Sequence, residues 1–147
     1  MKLTKISLAI LILICAIGMV AAVELSDIKA AEGFEDLGEG YFENDANHIN
    51  IDIIDEKKVK PLKSIFENDT GVKYTVVPGK LNNTFNYTDG VNEEVGVDEL
   101  VKINGKEYVI EFFAYNEDNV SIDKIYDAVE EFNKLNNLTP LDPSILE

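Results

Sequence analysis

The sequence has no arginine, one histidine and one cysteine. All 13 basic residues are therefore lysines, set against 28 acidic ones. The cysteine, Cys15, lies inside the apolar N-terminal stretch, so the rest of the chain can form no disulfide and must be held by its core. Cys15 follows Ile14 rather than a small residue, which argues against a lipid-modified cysteine. With His48 alone, a Cys–His catalytic pair is excluded, and a zinc site would need one imidazole plus carboxylates. Asn47 and Asn50 flank His48 ahead of an apolar stretch, a setting for a solvated turn histidine.

Lys2 and Lys5 precede an uncharged run from Ile6 to Val23 that ends in Val20-Ala21-Ala22. A cleaved signal has a basic start, about 7–15 apolar residues and small residues at −3 and −1. Val20 and Ala22 fit those two positions, giving a signal peptide over 1–22 and a mature domain over 23–147. The same run is just long enough to span a bilayer as an uncleaved anchor to residue 23. Lysines before it and Glu24–Asp27 after it keep the N-terminus inside in either case. Both readings place the domain outside the cytoplasm, and contact with the membrane would come only through an uncleaved N-terminal segment.

The 125 residues beyond Ala22 suit a single domain. They hold every acidic residue and 11 of the lysines, so their formal charge is 11 − 28 = −17. That balance argues against nucleic acid, whose ligands carry a basic face, and against docking on an anionic membrane surface. Solubility by self-repulsion is the simplest role for such charge.

Five Asn-x-Ser/Thr sequons stand at Asn68, Asn82, Asn86, Asn119 and Asn137. The mature part has 14 asparagines and 9 serines or threonines, for which random placement gives about one sequon. The excess, with the export signal, points to N-glycosylation, and all five fall where the sequence suggests loops or element ends. Asparagines beside threonines also arise in turns and caps without any sugar.

Alternation of Ile49, Ile51 and Ile53 predicts a half-buried strand. Val59, Leu62, Ile65 and Phe66 share a face of a helix expected over 57–69, stopped by Gly71. Strands are expected at Val72 to Val77 and around Phe85 and Tyr87. The clearest local signal is a hairpin over Glu99–Tyr115 around Asn104-Gly105, a pair suited to a type I′ turn. It pairs Ile103 with Lys106, Lys102 with Glu107 and Val101 with Tyr108, gathering Val101, Ile103, Tyr108, Ile110 and Phe112 on one face. A last helix runs from Ile122 to about Asn136, capped by Ser121, with Val120 able to staple to Ile125. Its buried stripe is Ile122, Ile125, Val129 and Phe132, with Ala128 and Leu135 beside it.

These elements give an α+β fold, an antiparallel sheet with a central hairpin packed against two helices. In element order alone the chain resembles the PsbP-like sandwich. The lysine-only basic set, the Asn-rich acidic domain, the Ala30–Glu35 opening and the Glu99–Lys106 hairpin are similar in style to small secreted or cell-envelope proteins of methanogenic archaea. That resemblance implies an envelope or extracellular setting and carries no activity.

No serine has the context of a nucleophile elbow. Phe-Glu-Asn-Asp recurs at 42–45 and 66–69, and Asn116–Asn119 is similar. Such oxygen-rich loops suit calcium, yet none has the spacing of a calcium-binding loop. Lys57, Lys58, Lys60 and Lys63 form a basic patch able to meet an anionic glycan or acidic partner, or to neutralise Asp52, Asp55 and Glu56. No catalytic, metal or cofactor site can be assigned. The sequence favours a non-enzymatic, glycosylated extracytoplasmic module with an envelope glycan or protein partner. Two alternatives are a divalent-cation-binding domain using the acidic loops and a carboxylate-based hydrolase.

Overall fold

The computed structural model describes residues 25–55 and 74–141. After a 3-10 turn at Leu25–Asp27 come strands β1 (Glu35–Gly38), β2 (Tyr41–Asn44), β3 (Ile49–Asp55), β4 (Tyr74–Pro78), β5 (Thr84–Asp89), β6 (Glu94–Ile103) and β7 (Lys106–Tyr115). A second 3-10 turn, Asn116–Asp118, leads into helix α1 (Ile122–Asn136), and the two-residue strand β8 (Thr139–Pro140) follows. All strands belong to one sheet in the order β1-β2-β3-β7-β6-β5-β4, with β8 pairing the end of β6 beyond β5. Every neighbouring pair is antiparallel.

The β6–β7 hairpin has the expected register, Ile103 opposite Lys106, Lys102 opposite Glu107 and Val101 opposite Tyr108. Asn104 (φ 53°) and Gly105 (φ 70°) supply the two positive φ angles that a two-residue primed turn needs. The hairpin begins earlier than expected, at Glu94, so β6 and β7 are ten residues each. Helix α1 has the expected limits, and Ser121 Oγ accepts from the Lys124 amide at 3.4 Å.

The helix crosses one face of the sheet and seals the main core. Phe112 and Phe132 meet edge to face at 5.5 Å between centroids, and Phe42 meets Phe132 at 5.9 Å. Ile51, Val97, Val101, Ile103, Ile110, Ile125 and Val129 fill the space around these rings. Asn136 ties the start of the domain to the end of the helix. Its Oδ1 accepts from the Lys29 amide at 2.8 Å and its Nδ2 donates to the Lys29 carbonyl at 3.0 Å.

Three expectations are corrected. Among the described residues the sheet packs against one helix and not two, and the PsbP-like sandwich is not what forms. The fold is an eight-stranded antiparallel sheet with a single α-helix among the described residues. The β1–β2 hairpin adds two strands that the sequence does not mark. Its turn uses Glu39 (φ 55°) and Gly40 (φ 87°), a primed turn without the usual Asn or Asp. β1 is exposed at all four positions, so no apolar alternation marks it. The helix expected over 57–69 lies outside the described residues. The second correction concerns α1, where Leu135 is exposed while Tyr126 and Asn136 are buried. The third is Asn86, which sits inside β5 instead of at a loop or element end.

Candidate functional site

The face of the sheet turned away from α1 carries carboxylates where a sheet interior usually carries aliphatic groups. Directly paired residues on neighbouring strands point to one face, and Tyr41, Asp52, Glu111, Asp98 and Phe85 form such a row across β2, β3, β7, β6 and β5. A second row runs Glu43, Asn50, Phe113, Gly96, Tyr87. A third holds Tyr115, Glu94 and Asp89. Asp98 and Asp89 are fully buried, and Asp52, Glu94 and Glu111 are partly so. At the far end of this face Leu100 and Val109 form a small apolar cluster with Ile54, Phe85 and Leu141.

Burial of so many acids shifts their protonation. Glu111 is raised to about 7, first by loss of solvation and then by the charges of Asp52 and Glu94, while a hydrogen bond with Asp98 opposes the shift. Glu94 is likewise raised to about 7 by burial and by Asp89. Asp52 is raised by burial. Two carboxyl groups can share a hydrogen bond only when one carries a proton, so Glu111 and Asp98 act as one proton-sharing pair. Asp89 is differently employed. Its Oδ1 accepts from the Val91 and Asn92 amides and its Oδ2 from Asn92 Nδ2 at 2.9 Å, which builds the β5–β6 turn.

A carboxyl pair performs acid–base chemistry only where a substrate proton comes within hydrogen-bond reach. Asp98 is wholly buried at the centre of the sheet, with the partly buried Glu111 beside it. Among the described residues no group of three or more His, Cys, Asp or Glu is placed to hold a metal ion. The repeated Phe-Glu-Asn-Asp motif at 42–45 has a structural use. Phe42 enters the core, and buried Asn44 accepts from the Asn47 amide at 3.0 Å to shape the β2–β3 turn. His48 closes that turn with φ 56° and places Nδ1 3.2 Å from Asp118 Oδ1, with most of its ring in solvent.

The sequon asparagines gather on the helix side. Asn82 is exposed in the β4–β5 turn. That turn leans on α1 through Lys80, whose amide donates to the Tyr126 hydroxyl at 2.7 Å. Asn119 (φ 53°) ends the 3-10 turn ahead of α1, and Asn137 (φ 50°) caps the end of α1. Both are exposed and left-handed, a conformation that asparagine tolerates better than most residues. Asn86 is half-buried, and its Oδ1 accepts from the Tyr126 hydroxyl at 2.6 Å. Asn68 and the basic patch of Lys57, Lys58, Lys60 and Lys63 lie outside the described residues.

The buried acids of β6 and β7 escaped the sequence reading, although a signal was present. Asp98 and Glu99 interrupt an otherwise apolar run from Val95 to Val101, and Glu111 interrupts one from Tyr108 to Ala114. An acid at the centre of a long apolar strand is a burial signal, because a ten-residue central strand has no exposed middle. No helix among the described residues is long and apolar enough to cross a membrane. No family model, curated protein or solved structure matches the chain.

Proposed function

We propose that this protein is a non-enzymatic extracytoplasmic module, exported by its N-terminal segment and N-glycosylated around helix α1, that acts by binding an envelope glycan or protein. The observation that carries this is the placement of Asn82, Asn119 and Asn137. All three are exposed at turns on the helix side, where a bulky sugar can be accommodated without disturbing packing. The carboxylate-rich face bears none of the described sequons. A glycosylated helix side leaves that opposite face, with the rim residues Glu43, Glu94 and Tyr115, as the side that meets a cationic partner. The formal charge of the mature part supports a partner rich in lysine or amine groups rather than an anionic one.

The test is peptide mapping by mass spectrometry of protein purified from its native host. Sugar-bearing peptides are expected at Asn82, Asn119 and Asn137, with a mature N-terminus at or next to Val23. An intact mass equal to that of the bare polypeptide would remove the glycoprotein reading. An intact Met1 on membrane-bound protein would replace cleavage with anchoring.

A further inference from the structure

One acid on the helix side of the sheet has no part in the carboxylate rows. Glu99 lies in β6 opposite Ile110 of β7 and Thr84 of β5, facing α1, and is only 2 % exposed. Its Oε1 accepts from Asn133 Nδ2 of α1 at 2.6 Å and from Asn83 Nδ2 at 3.3 Å. Two acceptor atoms in this cluster are buried with no donor, Glu99 Oε2 and Asn133 Oδ1. They belong to the two planar groups already joined by the 2.6 Å bond. With Glu99 ionised neither atom has a donor, and a buried acceptor left unpaired is destabilising. A single proton on Oε2 removes both deficits, because the hydroxyl then donates to Asn133 Oδ1 while Oε1 keeps the Nδ2 bond.

We infer that Glu99 is a neutral carboxylic acid in the folded protein, closed with the Asn133 amide into a two-bond ring that latches helix α1 to strand β6 and is released by alkali. Burial pushes the Glu99 carboxyl up to about 7, opposed by the bonds from Asn133 and Asn83. Among the described residues no opposing charge contributes to the shift. The neighbours on β5 and β7 are Thr84 and Ile110, and the turn before β5 contributes Asn83. The charged residues on the adjoining elements point elsewhere. Glu130 and Lys134 of α1 are exposed, as is Lys102, and Asp98 faces the far side of the sheet. The other titratable groups described on this side are Tyr126, joined to Thr84 at 3.2 Å with the exposed Lys80 over its ring, and Tyr108 with the exposed Lys106, opposite Val101 and Ile103 of β6. Strand β8 adds Thr139 and Pro140, neither of which titrates.

The latch acts on an element that matters. Asn133 lies one residue beyond Phe132, the ring that bridges Phe42 and Phe112, and three before Asn136, which holds the start of the domain. Ionising Glu99 therefore loosens the C-terminal half of α1 first. For a domain outside the cell this makes the helix contact sensitive to ambient pH between mildly acidic and mildly alkaline conditions.

The test must read Glu99 by itself, because Glu94 and Glu111 on the other face are also raised to about 7. In the intact labelled protein, the Glu99 carboxyl carbon is followed by NMR from pH 4 to 9. At pH 6 it should report about a tenfold excess of the neutral form. A Glu99 carbon at the ionised position at pH 6 overturns the inference. In parallel, Glu99→Gln keeps both bonds of the ring at every pH, with Nε2 donating to Asn133 Oδ1. It should melt like the parent at pH 5 and above it at pH 8. A variant whose melting point falls with pH as steeply as that of the parent also overturns the latch. The NMR titration of the parent decides the matter even if the variant does not fold.

Discussion

The two faces of this sheet are built from the same strands by opposite chemistry. On the helix side β3, β6 and β7 present Ile51, Val97, Val101, Ile110 and Phe112, and α1 answers with Ile125, Val129 and Phe132. On the other side the same strands present Asp52, Asp98, Glu94 and Glu111, beside Tyr87 and Phe113. The first face is stabilised by removing apolar surface from water at about 25 cal/mol per Å². The second brings acids together out of water, which costs free energy that protonation and hydrogen bonds only partly return. Stability should therefore come mainly from the helix side, and pH sensitivity from the carboxylates on both.

The largest test of that division is Phe112→Ala. Phe112 is fully buried and touches the Phe132 ring edge to face. Truncation should cost roughly 3–5 kcal/mol, a third or more of the stability of a typical domain. No disulfide compensates, since Cys15 is the sole cysteine. Thermal unfolding at pH 6 is the measurement. A variant melting within a degree or two of the parent would show that the helix side does not dominate.

A counterpart on the carboxylate side is Gly96→Ala. An added Cβ at Gly96 would press on the Phe112 carbonyl and the Tyr87 ring, both on neighbouring strands. Backbone on one side and a buried ring on the other leave little room to yield. Overpacking of this kind typically costs about 1–3 kcal/mol. If alanine were tolerated without loss, Tyr87 would not be held against the sheet as closely as described.

The contrast between the faces also explains what the sequence disclosed. The β6–β7 hairpin was legible because Asn104-Gly105 fixes the turn and Val101, Ile103, Ile110 and Phe112 fix the register. Helix α1 was legible through its apolar stripe and its Ser121 cap. The β1–β2 hairpin was hidden, since Glu39-Gly40 is an unusual turn pair and β1 has no buried side chain. The carboxylate rows were hidden for a different reason. With 28 acids in the chain, pairing of any two is decided by cross-strand register, which runs over contacts far apart in sequence. The same limit hid the Glu99–Asn133 contact, which joins a strand to a helix 34 residues away. The sequons could be counted from sequence, but the half-burial of Asn86 could not, because it depends on Tyr126 from α1.

A smaller effect should separate the carboxylates by pH. Glu111 is raised in the fold to about 7 from an ordinary 4.5. Its contribution is therefore fully present below pH 4.5 and is lost as the pH rises through about 7. Glu111→Gln removes the charge and keeps a donor for Asp98. The variant should match the parent near pH 5 and melt higher at pH 8, where the parent bears an extra charge beside Asp52 and Glu94. Melting curves at the two pH values check this. A variant less stable than the parent at pH 8 would mean that the charge on Glu111 is used.

The smallest expected effect is that of calcium. An acidic face invites the idea that it holds a divalent ion, and mass action makes the idea measurable. An ion bound ten times tighter than its working concentration adds RT ln 11, about 1.4 kcal/mol. In a domain of 100 residues or so that is roughly a 5–10 °C rise in melting temperature. The carboxylates described above lie along extended strands, and no three of the described acids converge on one point. Asp89 spends its oxygens on the Val91 and Asn92 amides and on Asn92 Nδ2. Asp98 is buried beside its proton-sharing partner Glu111. Millimolar calcium should therefore do no more than magnesium at equal ionic strength, which screens the repulsion among acids without binding in a cage. Melting curves in calcium, magnesium and chelator distinguish the two. A rise of several degrees with calcium alone would show that the carboxylate side is a cation site, and would reverse the view that its acids serve the sheet.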